Sequence, residues 1–143
     1  MNTKSKLAVI AALAALSISI TPANAHHAFS AEFDADKPLE LTGTVTKLEL
    51  VNPHSWVYVD VKNADGTVTN WGAEFGAPFS LKEKGLTKAS LPVGSTVIIK
   101  GFRSKNPKPF AYAVSAILPD GREVQTGGAA DAPGVKKEPA KAS

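Results

Sequence analysis

Three histidines, His26, His27 and His54, carry the chemistry this chain could do. His26 and His27 follow Ala23-Asn24-Ala25, and Ala-x-Ala is the small-residue pattern after which signal peptidase cuts. Cleavage after Ala25 makes His26 the first residue, with a free amine beside its imidazole. The amine and Nδ1 of an N-terminal histidine close a six-membered chelate ring on a metal ion. A further imidazole opposite completes a T-shaped nitrogen set, the histidine brace of copper proteins. Copper(II) suits tetragonal nitrogen sites and tops the Irving–Williams order. The amine is protonated near neutral pH, so the metal must displace that proton and affinity falls with falling pH.

In this scheme His26 supplies amine and Nδ1, and either His54 or His27 supplies the third nitrogen. His54 lies in Asn52-Pro53-His54-Ser55-Trp56, in the turn after the first long strand, where loops gather on a rim. Glu32, Asp34 or Ser55 is expected to orient the imidazoles. Two plainer readings stand beside this one. A His-His terminus can be a flexible end that takes up copper adventitiously, and His54 can be a turn residue whose ring bonds to backbone.

The elements that must position these residues begin after an export signal. Lys4 and Lys6 form a charged start, Leu7 to Ile20 is mostly apolar, and the cleavage pattern follows, so residues 1–25 are expected to be removed. The apolar run is too short and alanine-rich for a spanning helix. The mature protein is therefore expected in the periplasm or outside the cell, free of the membrane. Of 143 residues, 118 remain, enough for one domain with one core. Two of the 16 basic residues leave with the signal, so 14 face 13 acidic ones and the net charge is about +1. That charge leaves no electrostatic footprint for nucleic acid. There is no cysteine and the only methionine is Met1, so disulfides are excluded and any metal must be held by nitrogen and oxygen.

Residues 26–37 read as an extended N-terminal arm, with Phe29 and Phe33 among acidic residues. From Leu39 the pattern alternates: Leu41, Gly43 and Val45 face one way and Thr42, Thr44 and Thr46 the other. The apolar phase then switches to Leu48 and Leu50, which predicts a bulge or bend around the internal glycine. Trp56 to Val61 is a second strand, Asn63-Ala64-Asp65-Gly66 a hairpin turn, and Val68 to about Phe75 a third strand. Pro78 opens a short helix closed by Gly85. Thr96 to Phe102 and Phe110 to Leu118 are two more strands, with a short one near Arg122 to Val124. From Thr126 onward Gly, Ala, Pro and Lys dominate and a disordered tail, residues 126–143, is expected.

The expected class is all-β, mainly antiparallel, with one short helix. Long bent strand, hairpin pair, helix and two further strands is the order of the five-stranded OB-like β-barrel, placed here at residues 38–125. A small β-sandwich is the alternative.

Other chemistry finds little support. Thiol catalysis is excluded, no nucleophile-elbow motif is present, and the carboxylates show no glycosidase-type spacing. Dinucleotide and P-loop glycine motifs are absent. Trp56, Tyr58 and Trp71 are read first as packing residues and second as a ligand face.

His26-His27-Ala28-Phe29, Phe33-Asp34, Leu41-Thr42-Gly43-Thr44-Val45, Asn52-Pro53-His54-Ser55-Trp56 and Asn63-Ala64-Asp65-Gly66 together resemble an uncharacterised family of small exported bacterial proteins, a domain of unknown function. The resemblance covers nearly the whole mature domain and implies an exported single domain without implying an activity.

The expectation is thus an exported periplasmic protein that binds copper(II) through His26 and His54, with His27 nearby, as a carrier or buffer and not as an enzyme. The alternative is a metal-free module that binds a small ligand or a partner protein around Trp56, Tyr58 and Trp71. A small copper oxidase on the same brace ranks behind both.

Overall fold

The structure, a computed structural model, describes residues 29–134. Residues 1–28, which include the expected export signal, His26 and His27, and residues 135–143 lie outside the described residues. A single helical turn, α1 (Phe29–Glu32), leads directly into β1 (Phe33–Glu49). Then come β2 (Ser55–Lys62), β3 (Val68–Phe75), a short helix α2 (Pro78–Glu83), β4 (Thr96–Ser104), β5 (Phe110–Ile117) and the short β6 (Glu123–Gln125). Among the described residues no helix is long and apolar enough to cross a membrane.

Alternation dictates the strands and their pairing makes the fold. Leu41, Val45, Val57, Val59, Val97 and Ile99 point inward and are buried. Each such side chain removed from water contributes roughly 1.5–3 kcal/mol to the folded state. β1 pairs antiparallel with both β2 and β4, β2 with β3, and β4 with β5. A short parallel pairing of Gly72–Glu74 with Phe110–Tyr112 joins β3 to β5. The result is one mostly antiparallel sheet closed into a ring of five strands, in the order β1-β2-β3-β5-β4, with β6 added outside β5. The all-β expectation holds, and the five strands meet in one ring, not in the two sheets of a sandwich. Leu81 of α2, Leu86 and Leu91 are also buried in this core.

Several local expectations are displaced. β1 starts at Phe33, not Leu39, because its first residues continue along β4, with Pro38 opposite Phe102 and Phe33 opposite Ser104. The bend in β1 falls at Thr46, where the register against β2 jumps between Val45 and Lys47. Thr46 Oγ1 there donates to the Tyr58 carbonyl at 3.2 Å, an anchor that glycine lacks. The helical turn α1 adds to the one helix expected.

The expected disordered tail is corrected over residues 126–134. Thr126 is fully buried, and its carbonyl accepts the Gly76 N–H at 2.7 Å. The Ala129 N–H donates to the Tyr112 hydroxyl at 2.7 Å, and Ala132 is buried. Composition misleads here because a segment of small residues needs little apolar surface to stay ordered. It can lie flat on a strand and satisfy its backbone groups there.

Ring closure depends on close approach at Gly101, which stands opposite Ala113 on β5. A Cβ at this position would lie 1.8 Å from the Tyr112 carbonyl oxygen. Gly101→Ala is expected to lower stability by about 2–3 kcal/mol or more, because backbone must shift to admit the methyl. Chemical denaturation followed by tryptophan fluorescence checks this, and an unchanged midpoint would show that β4 and β5 are not held this tightly.

Candidate functional site

His54 occupies the β1–β2 turn, one residue ahead of β2. Its Nδ1 hydrogen-bonds to Glu74 Oε1 on β3. The register explains the encounter: Trp56 is directly opposite Glu74, so both side chains share the outer face of the sheet, and His54, two residues before Trp56, falls on the same side. The His54 side chain is 32% exposed and that of Glu74 8%, so the carboxylate is held within the protein while the ring reaches solvent. In the tautomer whose Nδ1–H donates to Glu74, a neutral ring has the Nε2 lone pair left for an outside partner.

The residues expected to orient the imidazoles lie as follows. Ser55 points inward and is fully buried, and its Oγ has no hydrogen-bond partner among the described residues. Asp34 lies 3.4 Å from Lys37 and accepts the Asp36 N–H, which holds its carboxyl below the usual 3.8. The Glu32 backbone carbonyl accepts the Lys105 N–H at 2.9 Å. Glu74, which carries no distinctive spacing in the sequence, is the residue that meets His54. Only the register of β2 against β3 reveals it.

The N-terminal segment is fixed close to this pair. Phe29 is buried against Tyr112, Phe33 and Phe102, with ring centroids 5.2, 5.8 and 5.4 Å away. Tyr112 is in turn the partner of Glu74 across the β3–β5 pairing. Burial pushes the Tyr112 hydroxyl above its usual 10.0, and the carboxylates of Glu74 and Asp131 add to the rise. From the far end of the chain, Asp131 accepts the Phe29 N–H at 2.9 Å and the Ser30 N–H at 3.2 Å. These two α1 amides have no partner within the turn, so the carboxylate caps it. The first of these bonds is the main reason the Asp131 carboxyl sits below 3.8.

The aromatic trio divides. Trp71 faces the core, 9% exposed, with the Arg103 guanidinium 4.9 Å from its ring centroid. Trp56 and Tyr58 lie half-buried on the outer face, beyond His54. Among the described residues no group of three His, Cys, Asp or Glu side chains is placed to hold a metal ion. His54 is the one described histidine, since His26 and His27 lie before Phe29.

A family model, described as a family of unknown function (DUF6152), matches residues 12–111, and the chain belongs to that family. The match spans both the His-His stretch and the turn carrying His54, and it ends before the Asp131 segment. No curated protein matches the chain.

The Asp131 cap makes a checkable statement about acid. A carboxyl whose folded value is lowered adds stability that is fully present above its unfolded value and is lost as pH falls through the folded one. The Phe29 and Ser30 amides are therefore expected to stay protected from hydrogen exchange at pH 5–7 and to lose protection below about pH 3.8. Asp131→Ala should remove that protection at every pH while the core strands stay protected. Equal protection in the variant would show that the cap does not hold the segment.

Proposed function

We propose that the protein is an exported copper(II)-binding domain, a carrier or buffer, whose metal is held by the amine and Nδ1 of a mature N-terminal His26 and by His54. The observation that carries this reading is the hydrogen bond from His54 to the buried Glu74. A carboxylate that fixes one imidazole nitrogen sets the tautomer, aims the other nitrogen outward and raises its basicity, which is how metal-binding histidines are commonly supported. A turn histidine that merely satisfied the backbone would need no buried carboxylate partner.

The position of Phe29 gives further support. Phe29 lies on Tyr112, Tyr112 lies beside Glu74, and Glu74 holds His54. Neighbouring strands are about 4.8 Å apart, and the three residues from Phe29 back to His26 span roughly 10 Å when extended. The distances are compatible with one copper ion meeting both histidines. The chain without thiols and with no methionine beyond Met1 suits copper(II) and a nitrogen set over copper(I).

N-terminal sequencing of the exported protein should find His26 first. Mature protein should then be titrated with copper(II) beside a form extended by one residue, His54→Ala and Glu74→Gln, with thermal melts confirming that each is folded. The extension and His54→Ala are expected to weaken binding by orders of magnitude and to change the EPR spectrum. Glu74→Gln, which keeps the shape but loses the charge, should cost roughly 10–100-fold. Affinity in the wild type should fall about tenfold per pH unit below the amine value near 7.7, and more steeply once imidazole protonates. Equal binding by all four proteins would mean that the copper is adventitious and would overturn the proposal.

A further inference from the structure

Around Trp56 the protein carries an open cleft of about 410 Å³, lined by Ala31–Phe33, Trp56, Ser104–Asn106 and Phe110. We propose that this cleft binds a neutral glycan, with a sugar ring stacked on the exposed part of Trp56 and its hydroxyls on the polar rim. The proposal goes beyond the copper reading and needs no metal.

The first argument is the construction of the aromatic surface. Trp56 is stacked on Tyr58, with centroids 6.4 Å apart and planes at 25°, and Phe110 meets it edge-on at 5.8 Å and 73°. The indole is thus held from two sides but stays half-exposed. Gly72 permits this arrangement: a Cβ there would lie 2.8 Å from two carbons of the Phe110 ring. A ring fixed in this way offers its remaining exposed aromatic surface to the cleft at little entropic cost. The C–H face of a pyranose carries the complementary positive edges.

The second argument is the rim. Glu32 and Lys105 bring both charge signs to the cleft, and Asn106 adds an amide. Lys105 Nζ already donates to the Ser30 carbonyl at 2.6 Å, so its charge is partly engaged with backbone. A rim of mixed sign gives no preference for a polyanion, whereas carboxylate, ammonium and amide together suit a ring of hydroxyls that both donate and accept.

The third argument is what the closed ring withholds. Near the cleft β2 is paired along its length with β3, and the start of β5 is paired with β3 and β4. An extended peptide that added itself as a strand would need a free edge, and none of these segments offers one. On the side formed by Trp56 and Phe110, a ligand is therefore recognised by side chains and not by strand addition.

The test uses the folded mature protein in EDTA, which removes any dependence on copper, with cellohexaose and chitohexaose as probes and a heparin oligosaccharide and an unstructured peptide as comparisons. At least one neutral hexasaccharide should change the Trp56 fluorescence saturably, against the buried Trp71 as an internal reference. Trp56→Ala should weaken binding, followed by calorimetry, roughly tenfold or more, and Trp56→Phe should retain most of it. Gly72→Ala should weaken it as well by displacing Phe110. No saturable binding of either neutral probe, equal binding by Trp56→Ala, or binding confined to heparin or the peptide would overturn the proposal. Because copper is absent throughout, these outcomes are independent of the fate of the copper reading.

Discussion

The pairing of Gly72–Glu74 with Phe110–Tyr112 is three residues long, and the candidate site depends on it. Without it the strands would form an open sheet, and β3 and the start of β5 would be free edges. With it, Glu74 is brought next to Tyr112, and Tyr112 carries the aromatic seat of Phe29. The same contact brings Phe110 over Gly72, where it meets Trp56. One short parallel ladder therefore fixes the histidine's carboxylate, the exit of the N-terminal segment and the floor of the cleft. Its residue types follow from this crowding: glycine where a ring must lie against backbone, and alanine at both Ala73 and Ala111, which are fully buried opposite each other.

Glu74 shows how a closed ring can bury a carboxyl group with a partner. Its side chain is 8% exposed, and such a group is costly unless partnered. The partnership with His54 satisfies it from a turn, not from a strand, so the sheet retains its regular hydrogen bonding. The arrangement also divides the two ends of the imidazole. Nδ1 belongs to the fold, while the side chain as a whole stays partly exposed.

Much of the scaffold was legible in the sequence because it rests on local rules. Strict alternation marked Leu41 to Val45 and Trp56 to Val61, Asp65-Gly66 marked the hairpin, and Pro78 and Gly85 bracketed α2. What escaped is what distant segments do to each other. Glu74 looked like any surface carboxylate until the register set it beside His54. Trp56 and Trp71 looked alike, yet the register sets Trp71 opposite the inward Val59 and Trp56 opposite Glu74 on the outer face. The segment after Thr126 looked empty of anything to bury, although its value lies in backbone bonds and in the Asp131 carboxylate. The histidine at position 54 was visible as a candidate; its carboxylate partner was not.

The Asp131 contact also imposes an order of events on folding. It joins residues 102 positions apart, so it closes nearly the whole described chain into one loop. Chain synthesis proceeds from the N-terminus, and the entropy of closing so long a loop is repaid only when the intervening strands already hold their places. Phe29 consequently has no seat until Tyr112 is in the sheet, and its amide has no cap until Asp131 arrives. Phe29 and Ser30 are thus the first residues of the described domain to be made and the last to be capped.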